Sequence, residues 1–332
     1  MHGRDRSHAA DREPRIVVIH RRSTYTALVS ERRNEVVARL VRRRSRAVRR
    51  MLQCHEEHMT SLAAVRREIS RLGLRARFLH RTDGLRISDD DLVVTVGGDG
   101  TVLHASHLVD KASMLPINSS PSTSCGFLTV ATADGFGPLL EAALHGRLRA
   151  TFLQRMRVEV AGRMKTDRVL NDILFSNACP ASTTRYSLRH RSIEEDQFSS
   201  GIWVATAAGS TSAVHAAGGR ILPLGSRLLQ FVVREPFHLT PPARRYRLVR
   251  GFVRPGGALV IVNKWQPATV YVDGPNYTIP VSRAQSVRLS LSPSPLRLLG
   301  YDPGRRGAIS NQQSAISTRH SAISTRQSLG SG

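Results

Sequence analysis

The stretch Leu92-Val93-Val94-Thr95-Val96-Gly97-Gly98-Asp99-Gly100-Thr101-Val102-Leu103 constrains this chain more than any other. Its apolar first half reads as a strand buried on both faces. Three glycines then permit positive φ and let a ligand approach the backbone without a Cβ in the way. A helix starts near Thr101. A strand that enters a glycine turn and opens a helix presents backbone N–H groups to an anion. Asp99 sits inside that turn. A carboxylate repels a phosphate, so its presence points to work on a proton or a metal. Taken alone the stretch also fits a plain strand-to-helix turn with an Asp cap, and the rest of the chain has to separate the two.

Ile16 to Ile19 and Met114 to Ile117 are further short apolar runs, each suited to a parallel strand. Residues 51 to 72 carry apolar side chains at helical spacing and stop at Gly73. Arg-rich residues up to about 50 read as a solvated helix face or linker, and Asp89-Asp90-Asp91 as a solvated turn. Val102 to Val109 and Phe136 to Leu148 read as helices, with His104 and His107 as ordinary helix residues. Strand–helix alternation of this kind predicts a parallel, Rossmann-like α/β domain over residues 15–150, with ligands at the C-terminal ends of its strands. From about residue 151 short strands separated by Gly and Pro turns predict a β-rich domain over 151–302. Residues 1–14 are polar, and from 303 to 332 the chain loses its apolar content. There AISNQQS, AISTRHS and AISTRQS repeat with one Ile per repeat, too few for a coiled-coil seam; both ends read as disordered.

Charge and cysteine usage bound the function. The 332 residues hold 49 basic and 25 acidic side chains, a formal net charge of +24. Such an excess favours nucleic acid, acidic membrane surfaces or phosphorylated substrates. The basic stretches lack interleaved aromatics, which argues against a specific nucleic-acid role. Cys54, Cys125 and Cys179 form no Cys-x-x-Cys pair, so neither a disulfide framework nor a zinc site is expected. No apolar segment approaches the length of a membrane span. Together these features predict a cytoplasmic protein without a membrane partner.

Two later stretches give the glycine turn its context. Leu170-Asn171-Asp172-Ile173-Leu174 places an amide and a carboxylate between apolar flanks, where polar side chains need partners. Ribose hydroxyls or a ligand amide can supply them, as can an Asx turn at a strand edge. Ala205 to Ala213, followed by Ala217-Gly218-Gly219, is rich in small residues and hydroxyls. It suits close approach of a phosphate, a ribose or a base edge, or the packing of a helix N-terminus.

In this order the stretches resemble the NAD kinase family, closest to its plant-type NADH kinase branch, over about residues 15 to 300. The resemblance rests on GGDGT, the Asn118 turn, GFLT from Gly126, Asn171-Asp172, the run Thr206 to Gly219, and Val272-Asp273-Gly274. It implies an NAD kinase-like fold and a homodimer or homotetramer. It also implies phosphoryl transfer from ATP or polyphosphate, with Mg²⁺ held mainly by nucleotide phosphates, to the adenosine ribose 2′-hydroxyl of NADH or NAD. Asp99 is then the candidate base, and Gly97, Gly98, Gly100 and Thr101 the phosphate cradle. Asn118, Phe127, Asn171, Asp172, Ser200, Thr206, Gly209, Ser210, Thr211 and Ser212 are the candidate NAD(H) contacts. Arg185, Arg220 and Arg234 are candidates to neutralise the donor.

Departures from the family pattern are shared with the NADH kinase branch. Asp172 stands for Glu, Ser200 for an acidic residue, Ala208 for Thr and Ala213 for a stacking Tyr. Loss of an acid at Ser200 removes an attraction for the cationic ring of NAD⁺, so a preference for the neutral ring of NADH is expected. A diacylglycerol-type lipid kinase shares the GGDGT turn and is the alternative enzyme. A non-catalytic polyanion-binding protein is the alternative binding module.

Overall fold

The computed structural model describes residues 15–80, 87–179, 181–237 and 246–303. The two termini expected to be disordered, apart from Pro303, and the turn at Asp83-Gly84 lie outside the described residues.

Ile16–His20 and Leu92–Gly97 are buried along their whole length, as runs with apolar side chains on both faces must be. They pair in parallel, and the sheet runs Ala76–His80, Ile16–His20, Leu92–Gly97, Ser113–Asn118, Leu296–Leu299, Ala150–Leu153. Every pairing along this order is parallel except the last. Helix Arg46–Arg71 covers one face through Leu62, Val65 and Ile69, packed with Val18, Val94 and Ile117. Helix Asp99–Ser106 covers the other through Val102 and Ala105, packed with Val17, Ile19 and Val93. Leu170, Ala208 and Leu224 from the second half of the chain complete that second layer. The first connection leads from Ile16–His20 to one side of the sheet and the next to the other side. The order therefore reverses between Ile16–His20 and Leu92–Gly97, the place in open parallel sheets where ligands bind outside the strand ends.

The second half is a sandwich of two six-stranded antiparallel sheets. One holds Met156–Val160, Thr184–His190, Ala258–Asn263 and Ser286–Leu291; the other holds Asp172–Asn177, Ile202–Ala205, Leu229–Val233 and Ala268–Val272. Alternate residues point inward, so Val158, Leu188 and Ile261 of one sheet meet Phe175, Val204 and Val270 of the other in one core.

Ala150–Leu153 and Leu296–Leu299 pair with each other and join the parallel sheet, although both fall in or at the edge of the stretch expected to be the β-rich domain. The chain thus leaves the first sheet after Leu153 and returns to it before Leu296. Arg155 sits fully buried at these crossings. Its guanidinium donates to the carbonyls of Ser294 (2.6 Å), Ser106 (3.1 Å), Val109 (2.8 Å) and Asp110 (3.1 Å). Burial, with Arg168 nearby, pulls its pKa down to about 10, so it stays cationic at neutral pH. Four carbonyls replace the water that burial removes. The acidic turn also differs from expectation: Asp91 is buried and takes a two-pronged pair from Arg15, at 3.0 and 2.8 Å.

Candidate active site

Gly97 ends its strand because no side chain fits there. An added Cβ falls 2.1 Å from Thr101 Oγ1, and at Gly98 one falls 2.8 Å from Ser124 Oγ. Gly98 caps the helix, which begins at Asp99, two residues before the expected start. Thr101 is buried and its N–H donates to Gly98 O at 2.9 Å. Thr101, expected in the phosphate cradle, thus packs the turn from inside the helix start. Gly97, Gly98 and Gly100 remain at the turn itself.

Asp99 is the first helical residue. Its Oδ1 accepts the N–H of Leu128 at 2.8 Å and its Oδ2 that of Phe127 at 3.1 Å. The carboxylate therefore clamps the Gly126–Thr129 turn across the helix start. Gly126 is required here on two counts. Its φ is +61°, and a Cβ falls 2.3 Å from Thr129 Oγ1 and 2.7 Å from Asn118 Nδ2. Asn118 is buried; it donates to Ser124 O at 2.9 Å and accepts from Ser120 N–H at 3.1 Å. Its side chain, expected among the NAD(H) contacts, shapes the 118–124 loop. Phe127 is half-buried beside the clamp, with its carbonyl held by Tyr301 Oη at 2.7 Å.

The second half of the site is built on one carboxylate. Asp273 accepts the N–H groups of Leu170 (2.9 Å), Asn171 (2.7 Å) and Asp172 (3.0 Å), and its own N–H donates to Asp172 O at 2.9 Å. The apolar-flanked Asn171-Asp172 pair is thus the bend that starts strand Asp172–Asn177, with its backbone amides organised from outside. Asp172 is buried, and its Oδ2 accepts from Ser212 Oγ and from Asn171 Nδ2. Burial pushes its carboxyl up to about 6; the charge of Asp273 adds to this and the Ser212 bond opposes it.

The small-residue run divides by role. Thr206 and Ser210 are fully buried. Thr206 holds the backbone of residues 170 and 171, while Ser210 Oγ bridges Ala207 O and the Leu222 N–H, each at 2.8 Å. A Cβ on Gly209 falls 2.1 Å from Asn171 O. Each of these three, expected among the NAD(H) contacts, bonds to or packs against backbone, and that close packing explains the small residues. Thr211 and Ser212 stay half-exposed.

Asp172 and Ser200 line one cavity of about 430 Å³, together with Leu174, Trp203, Arg234 and Tyr271. Trp203 and Tyr271 flank Leu174 on adjacent strands, an alignment that register creates and spacing conceals. Of the three candidate arginines, Arg234 lines this cavity. Arg185 lies over Phe198 and Trp265 and lines a separate cavity, and the Arg220 N–H is bonded to Gln230. Arg21, absent from the expected set, follows the first parallel strand. It donates to Ser120 Oγ at 2.7 Å and to Cys54 O at 2.8 Å, beside the Ser119 N–H that holds Gly97 O. Its place at a strand's C-terminal end is the signal that could have found it. His58 next to it is buried, and burial with the Arg21 charge pulls its pKa to about 3, leaving it neutral. Among the described residues no three His, Cys, Asp or Glu side chains converge as a metal-binding group.

Residues 10–148 match the family model described as the ATP-NAD kinase N-terminal domain. The chain is 36% identical over 226 residues to a probable NADH kinase of Oryza sativa subsp. japonica, covering 61% of this chain and 69% of that protein. It is 33% identical over 227 residues to the NADH kinase of Arabidopsis thaliana, covering 61% and 71%. In fold it is similar to yeast NADH kinase complexed with NADH, with TM-score 0.62, 16% identity and coverage of 90% of this chain and 87% of that one. An NAD kinase from Archaeoglobus fulgidus in complex with ATP gives TM-score 0.58 at 19% identity, covering 88% and 95%.

Proposed function

This chain belongs to the NAD kinase family, and from that premise we propose that it phosphorylates NADH or NAD at the adenosine ribose 2′-hydroxyl, using ATP or polyphosphate. One observation carries the residue assignment: Asp99 directly follows the C-terminal end of strand Leu92–Gly97, where the sheet order reverses, with both carboxylate oxygens fixed by backbone amides. A ribose hydroxyl is a poor nucleophile, and a positioned carboxylate that takes its proton contributes about 10²–10⁴-fold. The freed ribose oxygen forms a bond to the terminal phosphorus, the bond to the bridging oxygen breaks, and the shortened donor leaves with that electron pair.

Gly97, Gly98 and Gly100 hold the donor's phosphates through the turn, and Arg21 is a nearby cation. Phosphoryl transfer depends mostly on such positioning and charge stabilisation. Asp99 supplies hard oxygen donors that fit Mg²⁺ held chiefly by nucleotide phosphates. When bound, the ion neutralises charge on the transferred group. Asn171, Asp172, Thr211 and Ser212 hold the acceptor, with Phe127 packing on it. The cavity beside Asp172 takes the nicotinamide side. Its Leu174, Trp203 and Tyr271 wall, with Ser200 where the family carries an acid, favours the neutral ring of NADH.

The test is direct. Purified protein with Mg²⁺ and ATP or polyphosphate is offered NADH or NAD⁺, and the 2′-phosphorylated product is measured. Conversion that disappears in Asp99→Asn supports the reading; conversion of a lipid and of neither dinucleotide removes it. Light scattering of the same preparation tests the proposed homodimer or homotetramer.

A further inference from the structure

We propose that His107 is a positioning residue for the transfer, locking the helix that carries Asp99 to the bend that carries Asn171 and Asp172; this rests on the function proposed above. His107 caps the C-terminal end of helix Asp99–Ser106. Its Nε2 donates to Asp273 Oδ2 at 2.9 Å, with the His107 side chain 19% exposed and that of Asp273 2% exposed. That same Oδ2 accepts the Leu170 N–H, while Oδ1 accepts those of Asn171 and Asp172. One carboxylate therefore ends the helix of one layer and organises the bend of the other. Asp273 takes φ +48° and Gly274 φ +115°, a tight turn that aims the carboxylate inward. The edge of the Tyr277 ring, 5.5 Å from His107 at 81°, fixes the imidazole from the side.

Neighbouring cations hold the same segment without making this link. Arg168 donates to His107 O at 3.0 Å, and Arg155 to the carbonyls of Ser106, Val109 and Asp110. They hold the backbone after the helix to strand Arg163–Val169 and to the domain crossings. The His107–Asp273 bond adds the connection to residues 170–172. The helix has eight residues and is about 12 Å long at 1.5 Å per residue, short enough to move as a rod. A displacement at His107 is therefore carried to Asp99, while the acceptor bend, released from the helix, follows its own sandwich. Misplacing reacting groups by about 1 Å costs on the order of 100-fold in rate.

Gln and Asn separate reach from bulk. A Gln side chain places its N–H₂ near the position of His Nε2, and an Asn stops near that of Nδ1. In His107→Asn we expect kcat to fall toward 100-fold while KM for the dinucleotide changes little, because contacts survive and alignment does not. In His107→Gln we expect kcat close to wild type. Amide hydrogen exchange at Leu170, Asn171 and Asp172 should speed up in the Asn variant and stay slow in the Gln variant. An Asn variant with wild-type kcat, a Gln variant as slow as Asn, or loss of fold in both overturns the lock. A wild-type protein inactive on both dinucleotides overturns the parent reading instead, and the exchange rates at residues 170–172 then decide the lock by themselves.

Discussion

Ser212 Oγ donates to Asp172 Oδ2, joining the end of the small-residue run to the bend that begins strand Asp172–Asn177. The two residues come from separate stretches of chain, and Asp172 also lines the cavity that holds Ser200 and Trp203. The bond stabilises the ionised form of Asp172, whereas burial disfavours it, and burial wins.

A pH dependence of stability follows from that balance. The folded pKa of about 6 lies above the ordinary carboxyl value of 3.8, so the native state binds more protons than the unfolded state between those values. Stability from this group is present below the unfolded pKa and is lost as pH rises through the folded one. Two units at about 1.4 kcal/mol each put the loss on the order of 3 kcal/mol at pH 8. Asp172→Asn should therefore melt above wild type at pH 8 and lose that advantage near pH 4. Equal shifts in Tm at both pH values would contradict this.

Asp99→Asn removes the base and also damages the clamp. An amide has one acceptor oxygen for the two N–H donors of Phe127 and Leu128, so one is left facing an NH₂ group. Activity should fall by about 10²–10⁴-fold, and stability by about 1–3 kcal/mol. Steady-state kinetics and urea titration measure the two effects separately.

Gly209→Ala should act on the acceptor side. Its Cβ would stand 2.1 Å from Asn171 O, a backbone atom that cannot swing aside. Overpacking of this kind costs about 1–3 kcal/mol. Because the displaced backbone carries Asn171 and Asp172, KM for the dinucleotide should rise more than KM for ATP. Thermal melting and paired KM measurements check both.

Ser200→Asp returns a carboxylate to the cavity that Asp172 and Arg234 line. The ratio of kcat/KM for NADH over NAD⁺ should fall, because the cationic ring gains an attraction that the neutral ring does not. An unchanged ratio removes Ser200 from the selectivity account.

Much of the architecture was legible because it follows from local chemistry. The fully apolar strands announced a sheet covered on both faces, and short strands between Gly and Pro turns from about residue 151 announced a β-rich half, though not its two-sheet packing. Strands such as Arg163–Val169 and Ile193–Ser199 were not legible, since they are largely polar and lean outward. The return of Leu296–Leu299 to the first sheet was hidden for another reason: pairing partners far apart in sequence leave no trace in spacing.

The candidate site divides along the same line. The amino-acid order alone determined that a glycine turn with an embedded carboxylate follows a buried strand, and that an amide–acid pair and a small-residue run accompany it. These are properties of residue type and neighbour, and they were enough to point to the family. Tertiary structure alone decided how the polar side chains divide their work. Thr206, Ser210 and Asn118 bond to backbone, Asp99 clamps the 127–128 amides, and His107 meets Asp273 across the layers. A hydrogen bond is decided by distance and direction between groups that the chain brings together from afar, and no local pattern carries that information.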